Sequence, residues 1–343
     1  MDFRSDNVGG AASAILAALG LANTGTAGSY GDDDVTRRMN QRFCELFERE
    51  VAVFPVATGT AANALCLSVC TPPYGLIYCH ETAHVLTREC GATEFFTGGA
   101  KLVPLPGPDF KIERARFAAL VDSDSKGMTS KAPPCALSLT QATDWGTIYR
   151  PAEIAALCEV ARRYGLKVHM DGARFANAVV SAGGTPAELS WKAGVDILSF
   201  GATKNGALGT DAIVLFDLSL ANDLKFRLRR AGQVASKMRF ASVQLERYVQ
   251  DGLWLQFAGQ ANEAAARLAR AFAAIPQIQL MAAVEANQLF VRMPKNMIDT
   301  LQEAGARFYH RPDGSIRLVC RYDMPAVEIE QFIALVRRAN DGA

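Results

Sequence analysis

Seven short, mostly apolar runs recur through the first two thirds of the chain, and most are separated by stretches with a helical pattern. This alternation constrains the fold more than any other feature. The runs Val51–Val56, Gly75–Cys79, Lys101–Leu105, Cys135–Leu139, Leu166–Met170, Asp196–Phe200 and Ala212–Phe216 read as strands. Several are apolar on both faces, as expected of strands buried between two helical layers. Pro151–Tyr164 reads as a helix that opens with proline and stops at Gly165. The expectation is an α/β large domain built on a mostly parallel sheet.

After about residue 240 the style changes. Ala-rich helical sequence (Asn262–Ala274) is followed by the strand-like runs Gln288–Arg292 and Ser315–Cys320, which predicts a smaller C-terminal α+β domain. The division is therefore drawn as 1–240 and 241–343. With 343 residues, half of them hydrophobic, the chain can bury a sizeable core. A net charge of +1 gives no pull toward nucleic acid or an anionic membrane, so the expected partner is a small molecule. The N-terminus lacks the layout of a signal peptide, and the apolar stretch Ala52–Cys70 is interrupted by Pro55, Thr58, Gly59, Thr60 and Asn63. Eight scattered cysteines without C-x-x-C pairs suit reduced core residues in a cytoplasm.

In an open α/β sheet, ligands bind beyond the carboxyl ends of the strands. Three loops carry chemistry at that address. Ala57-Thr-Gly-Thr-Ala-Ala-Asn63 opens a helix, where free amides and the helix dipole can cradle an anion; an ordinary cap by Thr58 or Thr60 explains it equally well on its own. His169-Met-Asp-Gly-Ala-Arg174 ends an apolar strand on Asp171, and a buried acid needs a partner. An Asp171–Arg174 pair or an Asp cap would satisfy that need. Ser199-Phe-Gly-Ala-Thr-Lys-Asn-Gly206 sets Lys204 among small and apolar residues; burial favours the neutral amine that an imine-forming nucleophile requires. A phosphate cradle, a carboxylate for a pyridinium nitrogen and an imine-forming lysine are together the demands of pyridoxal phosphate.

These loops, with Arg4-Ser-Asp-Asn7, Tyr30-Gly-Asp-Asp33, Ala83-His84 followed by Glu89, Thr203-Lys-Asn-Gly206 and Ile316-Arg-Leu-Val319, resemble the L-threonine aldolase family of fold-type-I pyridoxal-phosphate enzymes, the β-eliminating lyase group. The resemblance spans nearly the whole chain and implies an aspartate aminotransferase-like large domain. It implies Lys204 as the lysine that holds pyridoxal 5'-phosphate, Asp171 as partner of the ring nitrogen, and Gly59 and Thr60 on the phosphate. Ser5, Arg174 and Arg317 would hold the substrate carboxylate, and His84 would stack on the ring and serve as candidate base for the β-hydroxyl, ahead of Asp144. Arg239 resembles a phosphate-side arginine that crosses a subunit interface, and Tyr30 sits near a neighbour's site, so a homotetramer is implied. One departure stands out. Many members carry Glu-Asn-Thr-His after the strand equivalent to Cys135–Leu139, where this chain reads Thr140-Gln-Ala-Thr-Asp-Trp-Gly146, as in a branch of low-specificity threonine and phenylserine aldolases.

The implied activity is reversible cleavage of L-threonine, L-allo-threonine or related β-hydroxy-α-amino acids to glycine and an aldehyde. Another pyridoxal-phosphate lyase or an aminotransferase is the alternative. A remoter one is a zinc hydrolase, because His80-Glu81-Thr82-Ala83-His84 spells H-E-x-x-H. A zinc site of that kind needs both histidines on one face of a helix, whereas His80 follows a strand run directly.

Overall fold

A computed structural model describes residues 1–127 and 129–341. Its strands are β1 (Ala52–Val56), β2 (Leu76–His80), β3 (Lys101–Leu105), β4 (Pro134–Thr140), β5 (Lys167–Gly172), β6 (Ile197–Phe200), β7 (Asp211–Leu215), β8 (Gln279–Leu280), β9 (Gln288–Arg292), β10 (Tyr309–His310) and β11 (Ile316–Val319). The first seven form one sheet in the order β1-β7-β6-β5-β4-β2-β3. All neighbours run parallel except β7, which is antiparallel to both β1 and β6. Each strand expected in this region forms, displaced by no more than one or two residues.

Both faces of the sheet are covered, which is why the strands look apolar throughout. On β6, Leu198 and Phe200 enter one core with Phe43, Phe47, Phe175 and Trp254, while Ile197 faces a second core with Leu65 and Leu67. Phe200 meets Phe43 edge-on at 5.1 Å between ring centroids and lies 5.4 Å from Trp254. The helix Pro151–Arg163 begins where expected: its proline needs no amide partner, and Glu153 accepts the Arg150 amide at 2.6 Å. In the acidic run, Asp33 caps the helix Asp34–Leu46 by accepting the Thr36 amide at 2.8 Å.

The C-terminal part holds a four-stranded antiparallel sheet in the order β10-β11-β9-β8. The two-residue strands β8 and β10 are too short to show a period of two in the sequence. As expected for β11, Ile316, Leu318 and Cys320 enter its core while Arg317 points the other way. The helix expected over Asn262–Ala274 begins earlier, at Leu253. Its first turns carry Trp254 and Ala258 into the large core, and its later turns carry Ala265, Leu268 and Phe272 into the small one. The N-terminus bridges the two as well. Phe3 packs in the small core and its carbonyl accepts the Val319 amide, while the Ala12 amide donates to Gly206 beside Lys204. No helix among the described residues is long and apolar enough to cross a membrane.

The ends of β5 and β6 approach so closely that glycine is required there. The Gly201 amide donates to Gly172, and a Cβ on Gly201 would lie 2.4 Å from the Ala173 carbonyl oxygen. Gly201→Ala is expected to lower the unfolding free energy by about 1–3 kcal/mol in urea titrations. Gly209→Ala, whose added carbon meets no atom within 4 Å, should shift it by less than about 0.5 kcal/mol. Equal effects for both would show that the strand ends are not tightly apposed.

Candidate active site

The loops that leave β1, β2, β4, β5 and β6, joined by the start of β7, wall a cleft of about 510 Å³ at the carboxyl edge of the sheet. Gly59, Thr60, His84, Asp171, Arg174 and Lys204 all line it, so residues scattered over nearly 150 positions of sequence converge as expected.

Lys204 sits in a single turn after β6. Asp211 clamps that turn by accepting the Ala202 and Thr203 amides at 2.8 and 3.0 Å, and the neighbouring Asn205 side chain donates to Tyr248 Oη and the Trp254 carbonyl. The Lys204 amine forms no hydrogen bond or ion pair among the described residues. Burial, aided by the Arg174 guanidinium, pulls its pKa below the usual lysine value, against the carboxylates of Asp6, Asp171 and Asp211. The lysine is thereby biased toward a nucleophilic amine.

Asp171 closes β5 with its carboxylate held at both oxygens. Asn63 donates to one at 3.0 Å and the Ala173 amide to the other at 3.0 Å. The expected Asp171–Arg174 pair does not form. Asn63 also donates to Glu89 Oε1 at 2.8 Å, and the same oxygen lies 2.8 Å from His84 Nδ1, which continues the chain of contacts to the ring that faces the cleft. The Glu89 hydrogen bond raises the His84 pKa, while burial raises that of Glu89 itself. At the foot of β1 the helix Gly59–Cys70 is capped by Thr58, so the plain reading of that motif holds. The cap leaves the amides of Gly59 and Thr60 free at a dipole end, and a Cβ on Gly59 would meet nothing nearer than 3.7 Å.

Arg174 pairs instead with Asp6, at 2.5 Å, and Asp6 also accepts from Asn287. Burial opposes charge on Asp6, but Arg174 and these donors outweigh it and hold the carboxyl below its usual range. Arg317 lies close enough to sense both groups, and burial followed by the Arg174 charge lowers its pKa. It donates to the Arg4 carbonyl, and Ser5 caps the short turn Asp6–Val8 at the same corner. The Nε atoms of Arg174 and Arg317 are buried and unpartnered, which leaves two guanidinium groups ready for an added anion. Asp6, Asn63, Asp211 and Asn287 received no role from the sequence. Asp6 and Asn63 stand inside quoted motifs, whereas nothing local marks Asp211 or Asn287.

Four expected residues do not line the cleft of their own chain: Ser5 and Arg317 stay at the Asp6 corner just described, and Arg239 and Tyr30 lie elsewhere. Arg239 borders a separate crevice with Asp33, Arg38 and Glu246, and Tyr30 borders another with Arg229, whose guanidinium lies 4.9 Å from its ring. The H-E-x-x-H pattern is not one helix. His80 ends β2 and bonds Thr82 through Nδ1, Glu81 and Thr82 form a turn, and His84 begins a helix of four residues with its Nδ1 committed to Glu89. The two rings therefore do not share a helical face, and the zinc-hydrolase geometry fails.

Comparison with known proteins matches this architecture. The profile of the beta-eliminating lyase family aligns with residues 2–296. The chain belongs to the beta-eliminating lyase family. It is 42% identical over 338 residues to the low specificity L-threonine aldolase of Pseudomonas sp. strain NCIMB 10558, covering 98% of this chain and 96% of the relative. The same identity extends over 337 residues of the Pseudomonas aeruginosa counterpart, with 98% and 96% coverage. Leishmania major threonine aldolase superposes with a TM-score of 0.92 at 25% identity, covering 99% of each chain. The fold is that of the fold-type-I pyridoxal-phosphate enzymes.

The residues of this lyase fit pyridoxal phosphate. The open glycine cradle with free amides suits the phosphate, the doubly held Asp171 suits a cationic ring nitrogen, and the enclosed Lys204 suits attachment. The Glu89–His84 contact makes a testable statement about charge. In NMR titrations His84 should ionise above the ordinary histidine value, and Glu89→Gln should move that midpoint down, because an amide stabilises the imidazolium less than a carboxylate does. An unmoved midpoint would show that Glu89 does not control the ring.

Proposed function

We propose that this protein is a pyridoxal-phosphate-dependent aldolase that reversibly cleaves L-threonine, L-allo-threonine and related β-hydroxy-α-amino acids to glycine and an aldehyde. The observation that carries the reading is the convergence, in one cleft, of Lys204, Asp171, the Gly59–Thr60 amides and Arg174, with Arg317 behind Arg174 and the Nε atoms of both arginines unpartnered. The fold alone does not choose the reaction, since a tryptophan decarboxylase of Catharanthus roseus superposes with a TM-score of 0.79 at 15% identity, over 100% of this chain and 83% of that one. Identity of 42% over nearly the full length of low specificity L-threonine aldolases supports carbon–carbon cleavage.

The Gly59 and Thr60 amides would hold the cofactor phosphate, Asp171 would serve its ring nitrogen, and Lys204 would offer the amine for attachment. When bound, pyridoxal phosphate supplies the electron sink that accepts the pair released from the breaking bond. Arg174 and Arg317 grip the substrate carboxylate, and two planar donors fix rotation about Cα and so select which bond stands ready to break. The same grip separates an aldolase from a transaminase, which must break the Cα–H bond instead. Asp6 holds Arg174 before substrate arrives, so the guanidinium is placed in advance. The His84 ring, held by Glu89, forms part of the cleft wall and would pack against the bound cofactor.

We also assign a homotetramer with a dimer as the smallest complete unit. Arg239 and Tyr30 on crevices outside their own cleft support this, because each would then face a neighbour's site. A cytoplasmic location accords with eight free cysteines, although Cys90 is exposed and Cys44 and Cys135 are half-buried rather than in the core.

Aldehyde release from L-threonine, L-allo-threonine and phenylserine, coupled to an alcohol dehydrogenase, tests the activity. Lys204→Ala should lower the rate at least about a thousandfold and abolish the lysine-bound cofactor absorbance. If the variant retains both, the reading fails.

A further inference from the structure

Of the carboxyl groups that line the cleft, three are committed. Asp171 accepts from Asn63 and the Ala173 amide, Asp211 accepts two amides of the Lys204 turn, and Glu89 serves Asn63 and His84 through Oε1, although its Oε2 is unpartnered. Asp144 is the exception. Among the described residues it has no hydrogen bond or ion pair at either oxygen, and its Oδ2 is shut off from solvent without a partner. The residue is half-buried, but a carboxyl oxygen enclosed without a partner lowers stability, so a site that retains one points to a ligand that completes it.

The segment around Asp144 is held rigidly. Thr143 and Thr147 join hydroxyls at 2.7 Å, and Gln141 donates to the Tyr149 carbonyl and accepts its amide, which closes the loop on both sides. Trp145 stacks on Phe110 at 4.1 Å with the rings 4° from parallel, and on its other contacts meets Phe290 of β9 at 4.5 Å and the Arg311 guanidinium at 4.2 Å. Asp109 and Phe110 adopt φ of 54° and 60°, a left-handed conformation that non-glycine residues rarely take. Thr147 secures it by donating to the Asp109 carbonyl. Both domains thus contribute to holding Asp144 at the cleft wall.

We propose that Asp144 is the catalytic base that takes the proton of the substrate β-hydroxyl as the Cα–Cβ bond breaks. The inference rests on the aldolase reading above. In the step, the hydroxyl proton passes to the Asp144 carboxylate and the O–H pair becomes the second bond of the aldehyde. The Cα–Cβ pair stays with the glycine carbon, and a proton later replaces the lost aldehyde there. No proton, electron or atom is gained or lost overall. The reverse reaction returns the proton from Asp144 to the new alkoxide.

His84 is less free for that task, because its Nδ1 is committed to Glu89, whereas Asp144 has no hydrogen-bond partner among the described residues. The groups that face Asp144 are Asp171 from β5, His84 beyond β2, and Arg174 and Lys204 beyond β5 and β6, with Arg311 against the adjoining Trp145. Burial first, and Asp171 second, push its pKa up to about 6, while His84, Lys204 and Arg174 pull the other way. The carboxylate is therefore available at neutral pH and disappears as the pH falls through about 6, so the rate should fall on that acid side.

Asp144→Asn keeps the size and removes the base. Aldehyde release should drop on the order of 10²- to 10⁴-fold, and its kcat/KM profile should lose the acid limb. Exchange of the glycine α-proton in D₂O, read by NMR, needs the cofactor and the carboxylate grip but no β-hydroxyl. It should stay within about threefold of wild type, which also shows that the variant is folded and loaded. The assignment is overturned if aldehyde release stays within about tenfold of wild type, or if glycine exchange falls in parallel with it. A wild-type protein that exchanges the glycine proton yet releases aldehyde from none of the three substrates overturns the aldolase reading, and the role of Asp144 with it.

Discussion

Charge balance around a buried amine organises this protein. Lys204 lies at the carboxyl edge of the sheet with its charge disfavoured by burial and by Arg174, and favoured by Asp6, Asp171 and Asp211. None of those groups could stay in so enclosed a place unpaired without a large cost. The structure meets this by giving each its own set of donors or acceptors: Asp6 takes Arg174 and Asn287, Asp171 takes Asn63 and a backbone amide, and Asp211 takes two amides. Lys204 is left without a dedicated partner, which keeps its amine available. The reactive group is the one the network declines to satisfy.

The sheet makes this balance achievable. Parallel strands end on one edge, so acids, amides and the lysine from five loops meet there without any long side chain having to reach. β7 runs against the others and thereby starts at that same edge, which is how Asp211 comes to sit under the Lys204 turn. The N-terminal residues and Asn287 are needed because the substrate side of the cleft lies beyond the sheet. Asp6 receives Arg174 from just beyond β5 and Asn287 from just before β9, so one carboxylate ties the two sheets together across the site.

What could be read from sequence, and what could not, follows from how far each signal travels. Lys204 and Asp171 were visible because a charge at the end of an apolar run breaks a local pattern, and the strands were visible because burial on both faces leaves long apolar runs. Boundary errors fell where the pattern is shortest, at the two-residue strands β8 and β10, and where the helix from Leu253 begins in bulky residues that belong to another core. Asn63, Asp6 and Asn287 act through partners 26 to 281 positions away, and no spacing rule marks such pairs. H-E-x-x-H misled for the opposite reason. It is a pattern of local spacing whose meaning depends on a helix, and the strand that ends at His80 removes the helix.

The choice among reactions must lie in a few side chains above the edge, because the edge itself is shared. Plant decarboxylases with 13–15% identity keep the same architecture at TM-scores of 0.76–0.79, so most of this sequence can change while the sheet stays. Breaking Cα–Cβ in a β-hydroxy amino acid asks for two things that a decarboxylase does not need together: a carboxylate held rather than released, and an acceptor for the hydroxyl proton. In the proposed reaction Arg174 and Arg317 would answer the first demand with their guanidinium groups. The proposed base, a carboxyl without a hydrogen bond fixed beside Trp145, which meets Phe110 and Phe290, would answer the second. Arg174 follows β5, Arg317 lies on β11 and Asp144 lies in the loop after β4, so the groups proposed for the chemistry come from both sheets and not from the cofactor edge alone.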